Sequence, residues 1–330
     1  MKETRNSLFQ KEENKKIIVA LSGGADSFVA AGLLKKEGYE VIGLHLRLVG
    51  DGNEDRSEHK AIERVFKIAK ILDIDLEVID LRKEFKEQII SYFVNSYIKG
   101  LTPNPCILCN KIIKFKKLLS MARSLNAAGI ATGHYVRVAY DEKEARFCLL
   151  KGIDSEKDQS YFLFMLNQEM LGMALFPLGD KKKEEARKIA SQWDSAFSAT
   201  KESHEVCFIS KKDYRDFIFS QLGRQLPGEI VNMKGEMRGR HSGIFRYTVG
   251  QRRGLNLKDR PDGPYYVVRL DPSSNRVVVG KREDLMARGL RADSINWVSS
   301  RPSDAPFRAS IKFRYRGEEV PGHVVPVSAD

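Results

Sequence analysis

At 330 residues the chain has room for two or three domains, and 42% hydrophobic with 30% charged residues suits globular cores in water. A surplus of 56 Lys and Arg over 44 Asp and Glu leaves a formal charge of +12, which favours an acidic partner such as RNA or nucleotide phosphate. The leader MKETRNSLFQKEENKK lacks the apolar core of a secretion signal, no apolar run reaches the ~18 residues of a membrane helix, and four cysteines make no disulfide framework; a reducing, cytoplasmic setting is expected.

In chain order, IIVAL (17–21) reads as a short buried strand and SFVAAGLLKKE (27–37) as an amphipathic helix that stops at Gly38. EVIGLHLRL (40–48) is a second strand, 57–72 has helical spacing, DLEVID (75–80) is a third strand, and a helix follows over roughly 82–97. The segment NPCILCN (104–110) reads as a loop before the basic amphipathic helix KIIKFKKLLSMARSL (111–125), and GIATGH (129–134) as a fourth strand. ARFCLL is strand-like, with Cys148 a core residue, while 181–193 and 211–222 look helical. Alternation of this kind argues an α/β fold with a doubly wound, mainly parallel sheet, whose ligands bind at the carboxyl ends of the strands.

Beyond about Leu222 the texture changes to glycine- and arginine-rich stretches with short alternating runs. YYVVRLDPSSNRVVVG (265–280) predicts a β-hairpin turning at Asp271 to Asn275, and FRASIKFRYRG (307–317) one more strand. The expected division is a catalytic α/β domain over 1–222, a small β-rich domain over 223–290 and a β domain over 291–330.

ALSGGADS (20–27) joins the first strand to the first helix, where an α/β nucleotide site is expected. It has neither the lysine of a Walker loop nor a GxGxxG fingerprint. Gly23 and Gly24 allow φ > 0 and a close backbone approach, Ser22 and Ser27 offer hydroxyls, and the first helical amides face the same spot, a combination that suits phosphate. Alone, the run also fits an ordinary strand-to-helix turn with Asp26 or Ser27 as N-cap. Directly after a strand, SGG-x-DS resembles the pyrophosphate loop of the N-type ATP pyrophosphatases, which adenylate a carbonyl oxygen for displacement by nitrogen or sulfur.

The cysteines leave several chemistries open. Cys106 and Cys109 form a CxxC that, with His204 and Cys207, has the donor set of a tetrahedral zinc site. A redox pair of thioredoxin type would open a helix directly after a strand, which this pair does not. As a nucleophile, Cys109 falls at the start of the helix expected from Asn110, where helix-end amides and Lys111 favour a thiolate. Cys207 lies in HEVCFIS behind a loop rich in Ser, Lys and Glu.

SGGADS, TPNPCILCN, ATGHYVR, KDQSYFLF, CFIS and YTVGQRRGL stand in the order found in bacterial tRNA-specific 2-thiouridylases, and the sequence resembles that family over about residues 15–320. The resemblance implies an adenine nucleotide alpha hydrolase-like catalytic domain and a last domain that is a partial β-barrel. It implies ATP, with Mg²⁺, adenylating the C2 oxygen of the wobble uridine (position 34) in the tRNA anticodon loop. Sulfur then comes from a cysteine persulfide charged by a sulfur-donor protein. By position, Cys109 matches the nucleophile and Cys207 the persulfide carrier. Ala20, Leu21, Ser22, Gly23, Gly24, Ala25, Asp26, Ser27, Leu46 and Gly133 match ATP-contacting positions. Asn104, Pro105 and Cys106 match the stretch beside the target base, His134 follows Gly133 as a pocket-lining residue, and Lys157, Asp158, Gln159, Arg314 and Tyr315 match tRNA contacts.

In YTVGQRRGL, Arg252 and Arg253 fit either a solvated basic loop or contacts to tRNA phosphates. Two departures stand out. Cys106 occupies a place where much of the family keeps Asp, so an acid–base role is not carried over, and the chain stops at VVPVSAD, short of the family's usual C-terminal strands. No resident metal, no membrane and a monomer are expected. The competing readings are another ATP pyrophosphatase using ammonia, which leaves the cysteines unused, and a zinc-stabilised RNA-binding protein.

Overall fold

The computed structural model describes residues 15–50, 56–198, 206–209, 213–224, 226–255, 257 and 263–327. Along the chain come β1 (Lys16–Ala20), α1 (Ala25–Lys36), β2 (Glu40–Arg47), α2 (Arg56–Leu72) and β3 (Asp75–Asp80). Helix α3 covers 82–98 and is π-helical over Lys86–Ile90; helix α4 covers 105–124 and is π-helical over Asn110–Phe115. Next are β4 (Gly129–Ala131), the hairpin strands β5 (Val136–Asp141) and β6 (Arg146–Lys151), α5 (Gln168–Met173), β7 (Ala174–Leu175) and α6 (Lys183–Trp193). After a single helical turn at Ser195–Ser198 come α7 (Tyr214–Leu222), β8 (Gly228–Asn232), β9 (Met237–His241), β10 (Tyr266–Asp271), β11 (Arg276–Gly280), β12 (Phe307–Ile311) and β13 (Val320–Val324).

These elements form two compact units, one within 1–83, 106–202 and 293–330, the other within 84–105 and 203–292. The first unit is built on a parallel sheet of order β3-β2-β1-β4-β7. Its central strand is apolar from Ile17 to Ala20, as a strand covered on both faces must be. Ile17 and Val19 pack with Phe28, Val29 and Ala186 from α1 and α6, whereas Ile18 packs with Phe115, Leu118 and Leu119 from α4. Fully burying each such side chain contributes about 1.5–3 kcal/mol. Because β2 lies on one side of β1 and β4 on the other, the strand order reverses at the carboxyl ends of β1 and β4.

The segment after Asp293 belongs to this unit and is fastened by polar contacts. The Arg146 guanidinium donates to the carbonyl of Trp297 at 2.7 Å, Gln168 Nε2 to that of Val298 at 2.9 Å, and Asn296 Nδ2 to those of Phe164 and Leu166 at 2.6 and 2.9 Å. In the second unit the sheet order is β10-β11-β8-β9, around Ile230, Val267, Val277 and Val279. Phe85, Phe93, Phe208 and Phe217 form an aromatic cluster there, with ring centroids 5.2–6.4 Å apart. The predicted hairpin is present as β10 and β11, with Asn275 at φ 51° and Asp271 Oδ1 accepting from the Ser273 hydroxyl at 2.6 Å.

Three expectations are corrected. Helix α4 begins at Pro105, not near Asn110, because proline's fixed φ suits the first helical position and NPCILCN is not a loop. The fourth strand stops at Ala131 rather than continuing to His134, and 307–317 stays in a strand only to Ile311. Beyond Ile311 the carbonyl of Phe313 accepts from the Tyr161 hydroxyl at 3.0 Å instead of joining a ladder. Among the described residues no helix is long and apolar enough to cross a membrane.

A Cβ on Gly133 would lie 2.7 Å from the backbone carbon of Asp26 and 2.8 Å from the nitrogen of Ser27. That backbone cannot move without moving the start of α1. Gly133→Ala is therefore expected to lower stability by about 1–3 kcal/mol, read as a fall in denaturation midpoint; an unchanged midpoint would refute this packing effect.

Candidate functional site

The loop between β1 and α1 leaves the sheet at the reversal of strand order. Leu21 donates its amide to the Leu44 carbonyl at 2.9 Å, and its own carbonyl lies 2.7 Å from Nδ1 of buried His45. Gly23 has φ +79°, and a Cβ there would meet the Ala61 carbonyl at 2.9 Å, so this turn is closed to other residues. The cap of α1 is Gly24, not Asp26 or Ser27, and it makes no side-chain bond. Ser27 instead donates its hydroxyl to the Gly24 carbonyl at 3.0 Å and accepts the Ser22 amide at 3.2 Å. The hydroxyls of Ser22 and Ser27 lie 3.2 Å apart beside first-turn amides that have no acceptor inside the helix. Two hydroxyls, open amides and the positive end of α1 form a concavity chemically suited to an anion.

Asp26 is held from two directions. Lys183 Nζ lies 2.8 and 2.7 Å from its carboxylate oxygens, and the Tyr135 hydroxyl donates to Oδ1 at 2.8 Å. The ammonium also stands 5.4 Å from the centre of the Tyr135 ring. Sequence reasoning missed both partners: Lys183 is one lysine in a run of three, with no local sign that sets it apart. Ala20 ends β1, Leu46 lies near the end of β2, and Gly133 follows β4, so the predicted nucleotide contacts gather along one edge of the sheet. Among the described residues no three of His, Cys, Asp and Glu form a metal-holding group.

Pro105 opens α4, preceded by half-buried Asn104. Cys106 is half-buried, and Cys109, one turn further on, is 4% exposed. Burial raises both thiols above their ordinary value; Lys114 pulls both back, and Cys106 pushes Cys109 up further. The expectation of a thiolate favoured by a helix start and Lys111 is thus overturned. Cys109 sits inside a helix, desolvated, and Lys114 is the cation that acts on it. Asn110, 2% exposed, donates Nδ2 to the Phe162 carbonyl at 3.1 Å while its Oδ1 has no partner.

His134 Nδ1 lies 2.7 Å from the Thr132 hydroxyl, and its ring sits 6.3 and 6.5 Å from those of Phe115 and Phe176. Desolvation, aided by Lys114, pushes its pKa down to about 3, so the imidazole is neutral at physiological pH. Lys157, Asp158 and Gln159 lie in a turn that reaches the same network. Gln159 Oε1 accepts the Tyr135 amide at 3.0 Å, and the Gln159 amide donates to the Tyr135 carbonyl at 3.1 Å. Asp158 is buried, with its carboxylate accepting from the amides of Gly152 and Ser160 at 3.1 and 3.2 Å and from the Ser160 hydroxyl at 2.8 Å. The structure brings this turn to the predicted Arg314–Tyr315 pair: the Tyr315 ring is 4.4 Å from Phe162 and 6.1 Å from Tyr161. In the second unit Cys207 is exposed, whereas its neighbour Phe208 is anchored in the aromatic cluster. His204, the fourth donor of the zinc alternative, lies outside the described residues.

Residues 15–211 match a family profile described as tRNA methyl transferase HUP domain, 215–281 one described as tRNA methyl transferase PRC-barrel domain, and 287–330 one described as Aminomethyltransferase beta-barrel domain. The chain is 44% identical over 327 residues to tRNA-specific 2-thiouridylase MnmA 2 of Thermoanaerobacter sp. (strain X514), covering 97% of this chain and 89% of that protein. It is 42% identical over 331 residues to tRNA-specific 2-thiouridylase MnmA of Geotalea uraniireducens (strain Rf4), covering 97% and 87%. Among solved structures, the U34-tRNA thiolase NcsA from Methanococcus maripaludis with its [4Fe-4S] cluster aligns at 19% identity and a TM-score of only 0.38, over 64% of this chain and 65% of that one.

Two outcomes are expected of these environments. The folded chain keeps His134 neutral while the unfolded chain protonates it below its ordinary value of 6.5, so protons bind the unfolded state in excess. Stability should fall progressively as pH drops from about 6.5 towards 3, and His134→Gln should flatten part of that loss in acid-dependent melting; an identical pH profile would contradict the assignment. Secondly, because Lys114 lowers the Cys109 thiol, Lys114→Gln should move the midpoint of Cys109 alkylation by iodoacetamide to higher pH, followed site by site by mass spectrometry. A midpoint that stays put, or falls, would show that Lys114 does not act on this thiol.

Proposed function

The chain belongs to the family of tRNA-specific 2-thiouridylases, and from that premise we propose that it adenylates the C2 oxygen of the wobble uridine (position 34) of tRNA and replaces it with sulfur carried as a persulfide on Cys207. What most supports this reading is the convergence of Ala20–Ser27, Leu46 and Gly133 on one edge of the sheet, beside a helix that carries Cys109. ATP lays its phosphates on the hydroxyls of Ser22 and Ser27 and the first-turn amides of α1, with Mg²⁺ arriving on the triphosphate. Asp26, held by Lys183 and Tyr135, shapes this seat.

Uracil C2 is a poor electrophile, and adenylation with loss of pyrophosphate turns its oxygen into a leaving group. The terminal sulfur of the Cys207 persulfide attacks C2, and AMP departs with the oxygen. The Cys109 thiolate then attacks Cys207 Sγ, which frees the thiolated base and leaves a Cys109–Cys207 disulfide. The sulfane sulfur is reduced and two thiols are oxidised, so a thiol reductant resets the enzyme. Removing the proton from buried Cys109 is the demanding event, and Lys114 is the cation that favours it. Neutral His134 lines the pocket, and Asn104, Pro105 and Cys106 stand beside the base. An anticodon-loop uridine splays out at modest cost. Lys157, Arg314 and Tyr315 contact the tRNA, while Asp158 and Gln159 order the turn that presents Lys157. The sulfur arrives from a persulfide donor protein, and the enzyme works as a cytoplasmic monomer.

The test is thiolation of an unmodified tRNA transcript with ATP and a persulfide donor, following pyrophosphate and 2-thiouridine. Cys109→Ser and Cys207→Ala should both lose 2-thiouridine, and Cys106→Ser should keep most of it. Wild-type thiolation by Cys207→Ala would remove the proposed sulfur carrier. Equal loss in all three variants, with stoichiometric zinc or iron leaving each, would replace the persulfide reading with a metal-centred one.

A further inference from the structure

The turn after Tyr247, in the second unit, contains two adjacent arginines that the thiolation chemistry does not use. Gly250 at φ +90° and Gly254 at φ +74° bracket it, and both adopt a conformation that favours glycine. Gln251 braces it from within: its Oε1 accepts the Thr248 amide at 3.1 Å and its Nε2 donates to the Arg253 carbonyl at 2.9 Å. The backbone is clipped to β10 in both directions, Gly250 N–H to the Val267 carbonyl at 2.8 Å and Val267 N–H to the Gln251 carbonyl at 2.9 Å. Beneath it Tyr247, Leu255 and Val267 are buried. A well-anchored turn thus carries Arg252 and Arg253 exposed, and among the described residues no carboxylate pairs with either.

We propose that this turn is a clamp for the RNA sugar-phosphate backbone, with Arg252 and Arg253 each taking a phosphate; the proposal rests on tRNA being the substrate. Guanidinium matches phosphate oxygens with two parallel donors, which a lysine does not. A backbone already fixed by Gln251 and two glycines spares the ordering that a loose loop would undergo on binding. Contacts of this kind set register and affinity without reading sequence.

Binding of an unmodified tRNA transcript across a potassium chloride series tests it. Each phosphate contact adds about 0.7–0.9 to the slope of log affinity against log salt, so replacing both arginines by alanine should flatten that slope by roughly 1.5 and weaken binding about tenfold at low salt. Arg252→Lys with Arg253→Lys should restore the slope but not the full affinity. Gln251→Ala should keep the slope while weakening binding about threefold. A double-alanine protein with the wild-type slope and an unchanged melting temperature overturns the clamp and leaves the thiolation reading intact. A wild-type chain that binds no tRNA overturns both.

Discussion

The contact on which the first unit turns is backbone against backbone: the bend after β4 rests on the first turn of α1 at a point where only a hydrogen fits. It ties the second strand of the switch point to the helix whose amino end borders the proposed phosphate seat. Tyr135, two residues past Gly133, extends the tie, reaching Asp26 through its hydroxyl and Gln159 through its backbone. Loop, bend and the 157–160 turn are therefore one hydrogen-bonded assembly. A shift in any of them has to be accommodated by the others, the kind of shared geometry that the proposed nucleotide site would use to hold its ligand in place.

Around α4 the governing balance is electrostatic. Burial holds Cys106, Cys109 and His134 in their uncharged forms, and Lys114 influences all three. For the thiols the lysine opposes burial; for the imidazole it acts in the same direction. One cation thus leaves the histidine neutral while easing the thiols towards ionisation, an asymmetry that comes from the sign of the charge each group acquires.

The parallel sheet and the glycine turn that opens α1 were legible because each is written locally: apolar runs of strand length, and glycines between a strand and a helix. The start of α4 was not, because NPCILCN has the composition of a loop, while a proline at the first helical position is compatible with either. The environment of Cys109 went wrong with it, since a residue one turn into a buried helix does not enjoy the free amides of an end. Lys183 and Tyr135 lie 157 and 109 residues from the Asp26 they hold, and pairs that distant leave no local pattern. Periodicity likewise tells which face of KIIKFKK is buried but not which lysine neighbours a thiol.

The first unit draws on three separate stretches of chain, and the second interrupts it twice. Contacts from Arg146, Gln168, Phe164 and Leu166 to residues 296–298 join parts of the sequence more than a hundred positions apart. During synthesis the phosphate loop, the sheet and the cysteine helix emerge well before the segment that fastens β6 and α5. The first unit therefore cannot make these closing contacts until the residues of the second unit, 203–292, have been synthesised. Contacts that span so much of the chain raise the contact order of the first unit, which slows folding relative to a unit closed by local contacts.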